Sequence, residues 1–202
     1  MKIGPRYKKA RYLGVPVFRK TQTQKFALRS QRKAKNSDSR RGAKSEYGKQ
    51  MLEKQKARYS YGVSSKQFSN YVNRALSNSG DNSKNLISIL ESRLDNVMVR
   101  SGFAPTRSAA RQMVSHGHIA VNGVNVTVPS IEVRSGDVLT IRDGSKNKAI
   151  FSKLDEELKN IKVPNWLSVD QKTKTIKVSG RPETEMSDLL FDVGAVLEFY
   201  TR

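Results

Sequence analysis

Two arginines spaced four residues apart are the side chains best suited to bind a charged ligand. Arg107 and Arg111 lie in a stretch that reads TRSAARQMVSHGHIAVNG, from Thr106 to Gly123. Residues four apart share one face of a helix, and Thr106 is a good N-cap. The pattern predicts a short helix with its cations facing outward, which has the shape and charge to bind a phosphate backbone.

The second half of this stretch predicts a hairpin beside the helix. His116 and Gly117 end the helical pattern, since glycine is the usual residue where the backbone turns left-handed. Ile119 and Val121 then alternate as in a strand, and Asn122-Gly123 is typical of a two-residue hairpin turn. The helix and hairpin together predict a compact unit that binds nucleic acid.

Two other groups of residues could suggest catalysis or metal binding. His116 and His118 are the only histidines, and two residues apart at a turn they favour a phosphate or base contact over a metal site. Arg93-Leu94-Asp95 resembles the motif that carries the catalytic aspartate of pseudouridine synthases. No catalytic domain of adequate length follows it, so Asp95 is predicted to be an internal ion-pair partner. Neither an enzymatic activity nor a cofactor is predicted.

The composition favours a polyanionic partner. The 202 residues hold 38 Lys and Arg against 18 Asp and Glu, giving a net charge of +20 and a pI near 10.3. The absence of cysteine excludes disulfides, thiolate metal sites and cysteine nucleophiles. No apolar run approaches the ~18 residues that a membrane-spanning helix needs. The sequence therefore predicts nucleic acid as the partner and no membrane.

Most of the excess charge lies in the first 44 residues. That segment carries 15 Lys and Arg and a single acid, so it accounts for +14 of the net +20. Its Gly and Pro residues and weak periodicity predict an arm that cannot fold alone and orders against nucleic acid. A solvated tail and a mitochondrial transit peptide are the alternatives. The predicted RNA contacts of the arm are Arg6, Lys8, Lys9, Arg11, Arg40, Arg41 and Lys44.

Helical and strand patterns follow the arm. One helix is predicted from Ser45 to Gly62 and a second after the capping box Ser64–Gln67, whose aromatic residues are assigned to the core. A third amphipathic helix is predicted from Asn85 to Gly102. Further predictions are a strand region over 131–141, a helix over 150–161, a strand at Thr175–Val178 and a final helix capped by Asp192.

These patterns predict an α+β fold with three parts. Residues 1–44 form an extended basic N-terminal arm. Residues 45–84 form an all-helical domain, completed by a C-terminal helix over 188–202. An α/β RNA-binding domain of two helices on a small, mainly antiparallel sheet is inserted at 85–187, with its core at 91–142.

Motifs spread through the chain resemble those of the bacterial-type small-subunit ribosomal protein number four, a family of primary rRNA binders. LEKQKARYSYGV at Leu52–Val63 is similar to the helical signature of that family. LESRLDNV at Leu90–Val97 and the stretch Thr106–Gly123 are similar to the RNA-binding domain named after it. The closing EFYTR at Glu198–Arg202 is similar to the family's terminus. The resemblance covers nearly the whole chain from residue 45 onward.

The resemblance implies a function, partners and sites. It implies a structural protein that nucleates assembly of the 5′ domain of small-subunit rRNA and influences translational accuracy where mRNA enters the subunit. The implied partners are small-subunit rRNA, that mRNA and neighbouring ribosomal proteins, notably the fifth, on cytoplasmic or organelle ribosomes. The zinc site of some relatives does not carry over, because cysteines are lacking. The predicted RNA-binding residues outside the arm form two groups. Pattern and resemblance both place the first group outward: Thr106, Arg107, Arg111, Gln112, His116 and His118. The second group belongs to the helical domain: Lys49, Lys54, Lys56, Arg58 and Lys66.

Two alternatives from other functional classes remain at the level of sequence. An rRNA-modifying enzyme of the pseudouridine synthase type could use the same RNA-binding module, but residues 143–202 offer no catalytic domain. A free RNA-binding regulator is the other alternative, and association with small subunits would distinguish it.

Overall fold

The computed structural model describes residues 3–37, 45–146, 148–152, 154, 158, 162–183 and 188–202. The chain forms two compact units. The first, here called the helical unit, comprises Met1–Ser83 and Glu185–Arg202. The second, the sheet unit, comprises Lys84–Thr184. Arg40, Arg41 and Lys44, which the sequence assigns to RNA contacts, lie outside the described residues.

Local capping signals define several helices of the helical unit. Its helices are α1 (Arg6–Leu13), α2 (Gln24–Ser37), α3 (Glu46–Tyr61), α4 (Ser65–Ser77) and, at the C-terminus, α8 (Val193–Thr201). Ser45 Oγ accepts a hydrogen bond from Gly48 N at the start of α3, and Gly62 ends that helix in a left-handed conformation with φ of 63°. Asp192 caps α8 as predicted, and Ser64 caps α4 by accepting from Gln67 N at 3.2 Å. The predicted capping box is not completed, because Gln67 Nε2 donates to the Tyr71 hydroxyl.

The C-terminal helix α8 packs on α3 and α4, far away in sequence. Gln50 Nε2 donates to Glu198 Oε2 at 2.9 Å, a bond that joins residues 148 positions apart. The ring of Phe68, fully buried as predicted, lies 6.2 Å from that of Tyr200. Packing of the buried Phe68 ring against Tyr200 contributes favourable free energy to the attachment of α8.

The basic segment differs from the predicted extended arm, because much of it is helical. α1 is followed by a 3₁₀ turn at Arg19–Thr21, where the Thr21 hydroxyl both donates to Phe18 O and accepts from Phe18 N. Phe18 is buried, and its ring lies 6.1 Å from that of Tyr59 on α3. The segment lacks enough apolar residues to fold alone, but α3 provides the apolar surface it needs.

In its described residues, the sheet unit combines α-helices with one antiparallel sheet, which confirms the predicted α+β class. The helices are α5 (Asn82–Glu91), α6 (Leu94–Arg100) and α7 (Arg107–Ser115). The strands are β1 (Ile119–Val121), β2 (Val124–Val126), β3 (Val138–Ile141), β4 (Leu167–Asp170) and β5 (Thr175–Val178). The strand order is β2-β1-β3-β5-β4, and every adjacent pair is antiparallel.

Helices α6 and α7 pack together and share one apolar core with the sheet. The β1–β2 hairpin turns at Asn122 and Gly123, both at positive φ, as the sequence predicts. Asn122 also ties this turn to β3, since its Oδ1 accepts from Val138 N at 2.9 Å. The single tryptophan, Trp166, is buried in this core.

The predicted third helix is two helices in the structure. Arg93 adopts an extended conformation between α5 and α6 and forms an isolated β-bridge with Glu132. Val133 N donates to Ser92 O, and Leu94 N donates to Ile131 O, both at 2.8 Å. These hydrogen bonds to the segment 131–133 replace the backbone hydrogen bonds that a continuous helix would form at this point. The helix predicted over 150–161 falls mostly outside the described residues. At its start, the described residues Ala149–Phe151 form a 3₁₀ turn.

Among the described residues, no helix is long and apolar enough to cross a membrane.

Candidate nucleic-acid interface

Two buried carboxylates of the sheet unit, Glu91 and Asp95, hold arginine side chains, and neither carboxylate is measurably exposed. Asp95 comes at the start of α6, where Asp95 N donates to Pro129 O at 3.1 Å. Glu91 is the last residue of α5. The interruption of the helix at Arg93 separates Glu91 on α5 from Asp95 on α6, and both carboxylates lie inside the unit.

Asp95 holds two arginines. Arg93 donates from Nε to Asp95 Oδ1 at 3.0 Å and from Nη2 to Oδ2 at 2.8 Å. Arg111 Nε donates to the same Oδ2 at 2.6 Å. The Arg93 side chain is 3% exposed and that of Arg111 is 26% exposed. Asp95 is thus the ion-pair partner predicted from sequence, and Arg111 reaches the surface from a fixed position.

Glu91 and Asn96 hold two more arginines. Arg100 forms a bidentate pair with Glu91, at 2.8 Å to Oε2 and 2.7 Å to Oε1. Asn96 Nδ2 donates to Glu91 Oε2 at 2.6 Å, and Asn96 Oδ1 accepts from Arg107 Nε at 2.7 Å. Arg107 and Arg100 are half-buried. We call Arg93, Arg100, Arg107 and Arg111, with Glu91, Asp95 and Asn96, the arginine network.

The arginine network carries a net charge of +2, since four guanidinium groups meet two carboxylates. Bidentate and charge-assisted bonds fix these side chains, so little rotamer entropy remains to be lost when an anion binds. The prediction that Arg107 and Arg111 face outward is therefore only partly right. Each is half-buried and bonded inside the unit, because the buried acidic and amide groups require donors.

The remaining predicted residues of this stretch divide between surface and core. Thr106 caps α7, with Oγ1 accepting from Ala109 N at 3.2 Å, and Gln112 and His116 are exposed. His118 is 7% exposed, and its Nδ1 lies 3.0 Å from Ser145 Oγ. The outward position predicted for His118 is wrong, because its place beside β1 turns the ring into the core.

The environment of His118 disfavours its charged form. Burial lowers the pKa of His118, and the nearby positive charges of Lys148, His116 and Arg142 lower it further. Its ring also meets that of Phe151 edge-on, at 6.2 Å between centroids. His118 is therefore part of the packing of the sheet unit.

In the helical unit, the predicted RNA-binding residues of α3 differ in their surroundings. Lys49 and Lys66 of α4 are exposed, whereas Lys54, Lys56 and Arg58 are half-buried. Lys56 Nζ bonds Glu53 Oε1 at 2.6 Å, so part of its charge is neutralised inside the unit. On α1, Arg6, Lys8 and Arg11 are exposed and Lys9 is half-buried.

The sequence prediction missed four members of the arginine network: Glu91, Arg93, Asn96 and Arg100. The sequence did contain a signal for these partners. Glu91 and Asp95 are four residues apart, and so are Arg107 and Arg111, which indicates two pairs of opposite charge. Acidic residues among Leu90, Leu94 and Val97 indicate buried carboxylates that need cationic partners. Within the described residues, no group of acids and histidines is suited to hold a metal ion.

Comparison with known proteins gives a consistent picture. Residues 1–91 match the family model described as "Ribosomal protein S4/S9 N-terminal domain", and residues 92–139 match the "S4 domain". The chain is 43% identical over 175 residues to small ribosomal subunit protein uS4 of Lachnospira eligens, covering 86% of this chain and 87% of that protein. It is 43% identical to uS4 of Mycobacterium marinum, covering 78% and 79% of the two chains. Identity to uS4 of Chlorobium limicola is 40%, covering 83% and 82%.

Proposed function

Because the chain belongs to the family of small ribosomal subunit protein uS4, we propose that it is a structural component of the small ribosomal subunit and binds the subunit's rRNA. Its relatives are ribosomal proteins and not enzymes. Asp95, the residue of the pseudouridine synthase-like motif, is buried and paired with Arg93 and Arg111, which suits a structural role.

The arginine network is the observation that supports this function best. It presents half-buried, pre-positioned guanidinium groups at the surface of the domain that matches the S4 RNA-binding family. Folded RNA offers closely spaced phosphates and shallow minor grooves that such a surface can follow. The exposed Gln112 and His116 follow Arg111 in the sequence and add polar side chains to the surface of this domain.

The finer parts of the proposal follow from the family. The protein nucleates folding of the 5′ domain of small-subunit rRNA and lies where mRNA enters, beside the fifth small-subunit protein. Through that position it influences translational accuracy, in a cytoplasmic or organelle ribosome. The arm and α3 supply most of the sequence-independent attraction, because residues 1–44 carry +14 of the net +20.

Replacing two arginines tests the proposal. The double variant Arg107→Gln/Arg111→Gln is compared with Lys172→Gln/Lys177→Gln, which removes the same charge from exposed positions in the β4–β5 turn and on β5. Binding of the full chain to a 5′-domain rRNA transcript is measured over a range of salt concentrations. The arginine variant is expected to bind more weakly, with a salt slope lower by roughly 0.7–0.9 for each phosphate group that it no longer neutralises.

Trp166 fluorescence checks that both double variants remain folded. If the arginine variant binds like the wild type at every salt concentration, the assignment of this surface is wrong. A second measurement addresses the ribosome itself. The native protein is expected to sediment with small subunits through a high-salt wash, whereas a free RNA-binding regulator would be washed away.

A further inference from the structure

The tip of the β1–β2 hairpin carries the only Asn-Gly pair of the 202 residues, Asn122–Gly123. Asparagine is chemically labile, and most so before glycine, because glycine has no Cβ to hinder its own backbone nitrogen. That nitrogen can attack Cγ of the preceding asparagine and expel ammonia. Asn122 and Gly123 are both exposed, so water and hydroxide reach the turn. The hairpin therefore holds the elements of a deamidation site.

Two hydrogen bonds from the start of β3 hold the carboxamide of Asn122. Its Nδ2 donates to Asp137 Oδ1 at 2.8 Å, and its Oδ1 accepts from Val138 N at 2.9 Å. The backbone is fixed as well, because Asn122 N donates to Val138 O at 2.8 Å. Ring closure requires the carboxamide to turn onto the Gly123 nitrogen and to release its NH₂ group. Both movements break these hydrogen bonds, so the bound carboxamide is protected.

The Asp137 carboxylate is itself held in position by the preceding turn. Its Oδ2 accepts from Arg134 N at 2.7 Å, and Asp137 N donates to Arg134 O at 3.1 Å. This turn is attached to β5, since Gly136 N donates to Val178 O at 2.8 Å. Asn122 and Asp137 lie 15 positions apart in the chain and meet because β1 pairs with β3. The protection therefore exists in the folded sheet unit and is lost when the strands separate.

We propose that Asn122 is a site of spontaneous deamidation from which Asp137 protects the folded protein. The Gly123 nitrogen loses its proton to hydroxide and forms a bond to Asn122 Cγ. The bond from Cγ to Nδ2 breaks, and the NH₂ group takes a proton from water and leaves as ammonia. Water then opens the cyclic imide at either carbonyl, which yields aspartate or isoaspartate at position 122. The reaction consumes only water and needs no enzyme.

Either product prevents the Asn122–Asp137 contact from forming again. A carboxylate at position 122 has no donor for Asp137 Oδ1, and two carboxylates that share one site repel each other. Isoaspartate also adds one carbon to the main chain of a turn whose length fixes the register of the hairpin. A chain that reacts while it is unfolded therefore refolds with a weaker connection between the hairpin and β3. The pair records the time that the chain has spent unfolded.

Deamidation rates of the full chain test this inference. The protein is incubated at mildly alkaline pH, and aspartate and isoaspartate at position 122 are quantified over time by peptide mass spectrometry. Asp137→Ala removes the acceptor of Asn122 Nδ2. Ser135→Ala is the matched control, because it removes a side-chain hydrogen bond of the same turn, from Ser135 Oγ to Ser179 O, and leaves Asn122 bound. Asp137→Ala is expected to deamidate several-fold faster than the wild type and Ser135→Ala, and the wild type in urea faster still.

Two results would overturn the proposal. One is a folded Asp137→Ala variant, verified by Trp166 fluorescence, that deamidates no faster than Ser135→Ala. The other is a native wild type that deamidates as fast as the wild type in urea. If Asp137→Ala does not fold, Asp137→Ser takes its place, since its hydroxyl can still accept from Arg134 N.

A mimic of the product tests the structural consequence. Asn122→Asp is compared with Asn125→Asp, which makes the same chemical change at an exposed position of β2. Asn122→Asp is expected to lower the urea midpoint followed by Trp166 fluorescence, whereas Asn125→Asp leaves it close to that of the wild type. Equal midpoints would show that a carboxylate at position 122 does not disturb the hairpin. These measurements involve no RNA, so their outcome is independent of the proposed function.

Discussion

Replacing Asp95 by asparagine removes one negative charge from the arginine network and leaves the size of the side chain nearly unchanged. The Asp95 carboxylate accepts two hydrogen bonds from Arg93 and one from Arg111, at 2.6–3.0 Å. Asparagine retains one acceptor oxygen but places an NH₂ group where the second oxygen was, facing a guanidinium donor. The substitution therefore breaks charge-assisted bonds that the folded protein cannot replace.

The cost depends on how well each arginine can regain water. Arg111 is 26% exposed and recovers part of its hydration, whereas the Arg93 side chain is 3% exposed and cannot. Breaking a buried ion pair by removing one partner costs about 3–5 kcal/mol. With typical urea m-values, this corresponds to a fall in the unfolding midpoint on the order of 2 M.

The assay uses the single tryptophan of the chain. Trp166 is 6% exposed in the core of the sheet unit, so its fluorescence during urea unfolding of the full protein reports on that unit. Asp143→Asn is the matched control, because the Asp143 side chain is 94% exposed and pairs with the surface residue Lys146. The control is expected to leave the midpoint unchanged. A wild-type midpoint for Asp95→Asn would refute the reasoning that Asp95 neutralises a buried arginine.

Two further predictions concern the same unit and use the same fluorescence assay. Thr106→Ala removes the N-cap of α7 and is expected to cost about 1 kcal/mol of stability, whereas Thr106→Ser, which keeps the capping oxygen, is expected to cost less. His118 has a lowered pKa in the folded state, so between about pH 7 and pH 5.5 the unfolded state takes up the proton first and stability falls. The midpoint is expected to fall less over this range in His118→Gln, and equal falls in the two proteins would contradict the pKa assignment.

The sequence determined the features that depend on a few neighbouring residues. The caps at Ser64, Thr106 and Asp192 and the Asn122–Gly123 turn were predicted and are present, and Ser45, predicted to begin a helix, is the N-cap of α3. Each is specified by a side chain that bonds a backbone group three residues away, or by a backbone angle that few residues adopt. The α+β class and the family followed from these local signals and from the motifs between them.

The positions of the charged side chains could not be read from the sequence. The break at Arg93 depends on bonds from Ser92, Leu94 and Asp95 to the segment Pro129–Val133, more than thirty residues away in the chain. Without that break, periodicity predicts one continuous helix and leaves Glu91 and Asp95 on its surface. The assignment of the RNA-binding residues therefore remains a prediction. The structure shows that some of these side chains already form hydrogen bonds or ion pairs within the protein.

The packing of the basic segment and of His118 also could not be read from the sequence. Residues 1–44 have the composition of an unfolded arm, but Phe18 is buried beside Tyr59 of α3, a residue that no local pattern in the arm indicates. Spacing alone places His118 outward, yet Ser145, 27 residues away, and Phe151 enclose it. By itself the sequence determined the helix caps, the hairpin turn and the polyanionic nature of the partner, since caps, turns and net charge are local or additive properties. Only the tertiary structure decided which cations are held inside and which reach the surface, because burial and ion pairing depend on residues that the fold brings together from distant parts of the chain.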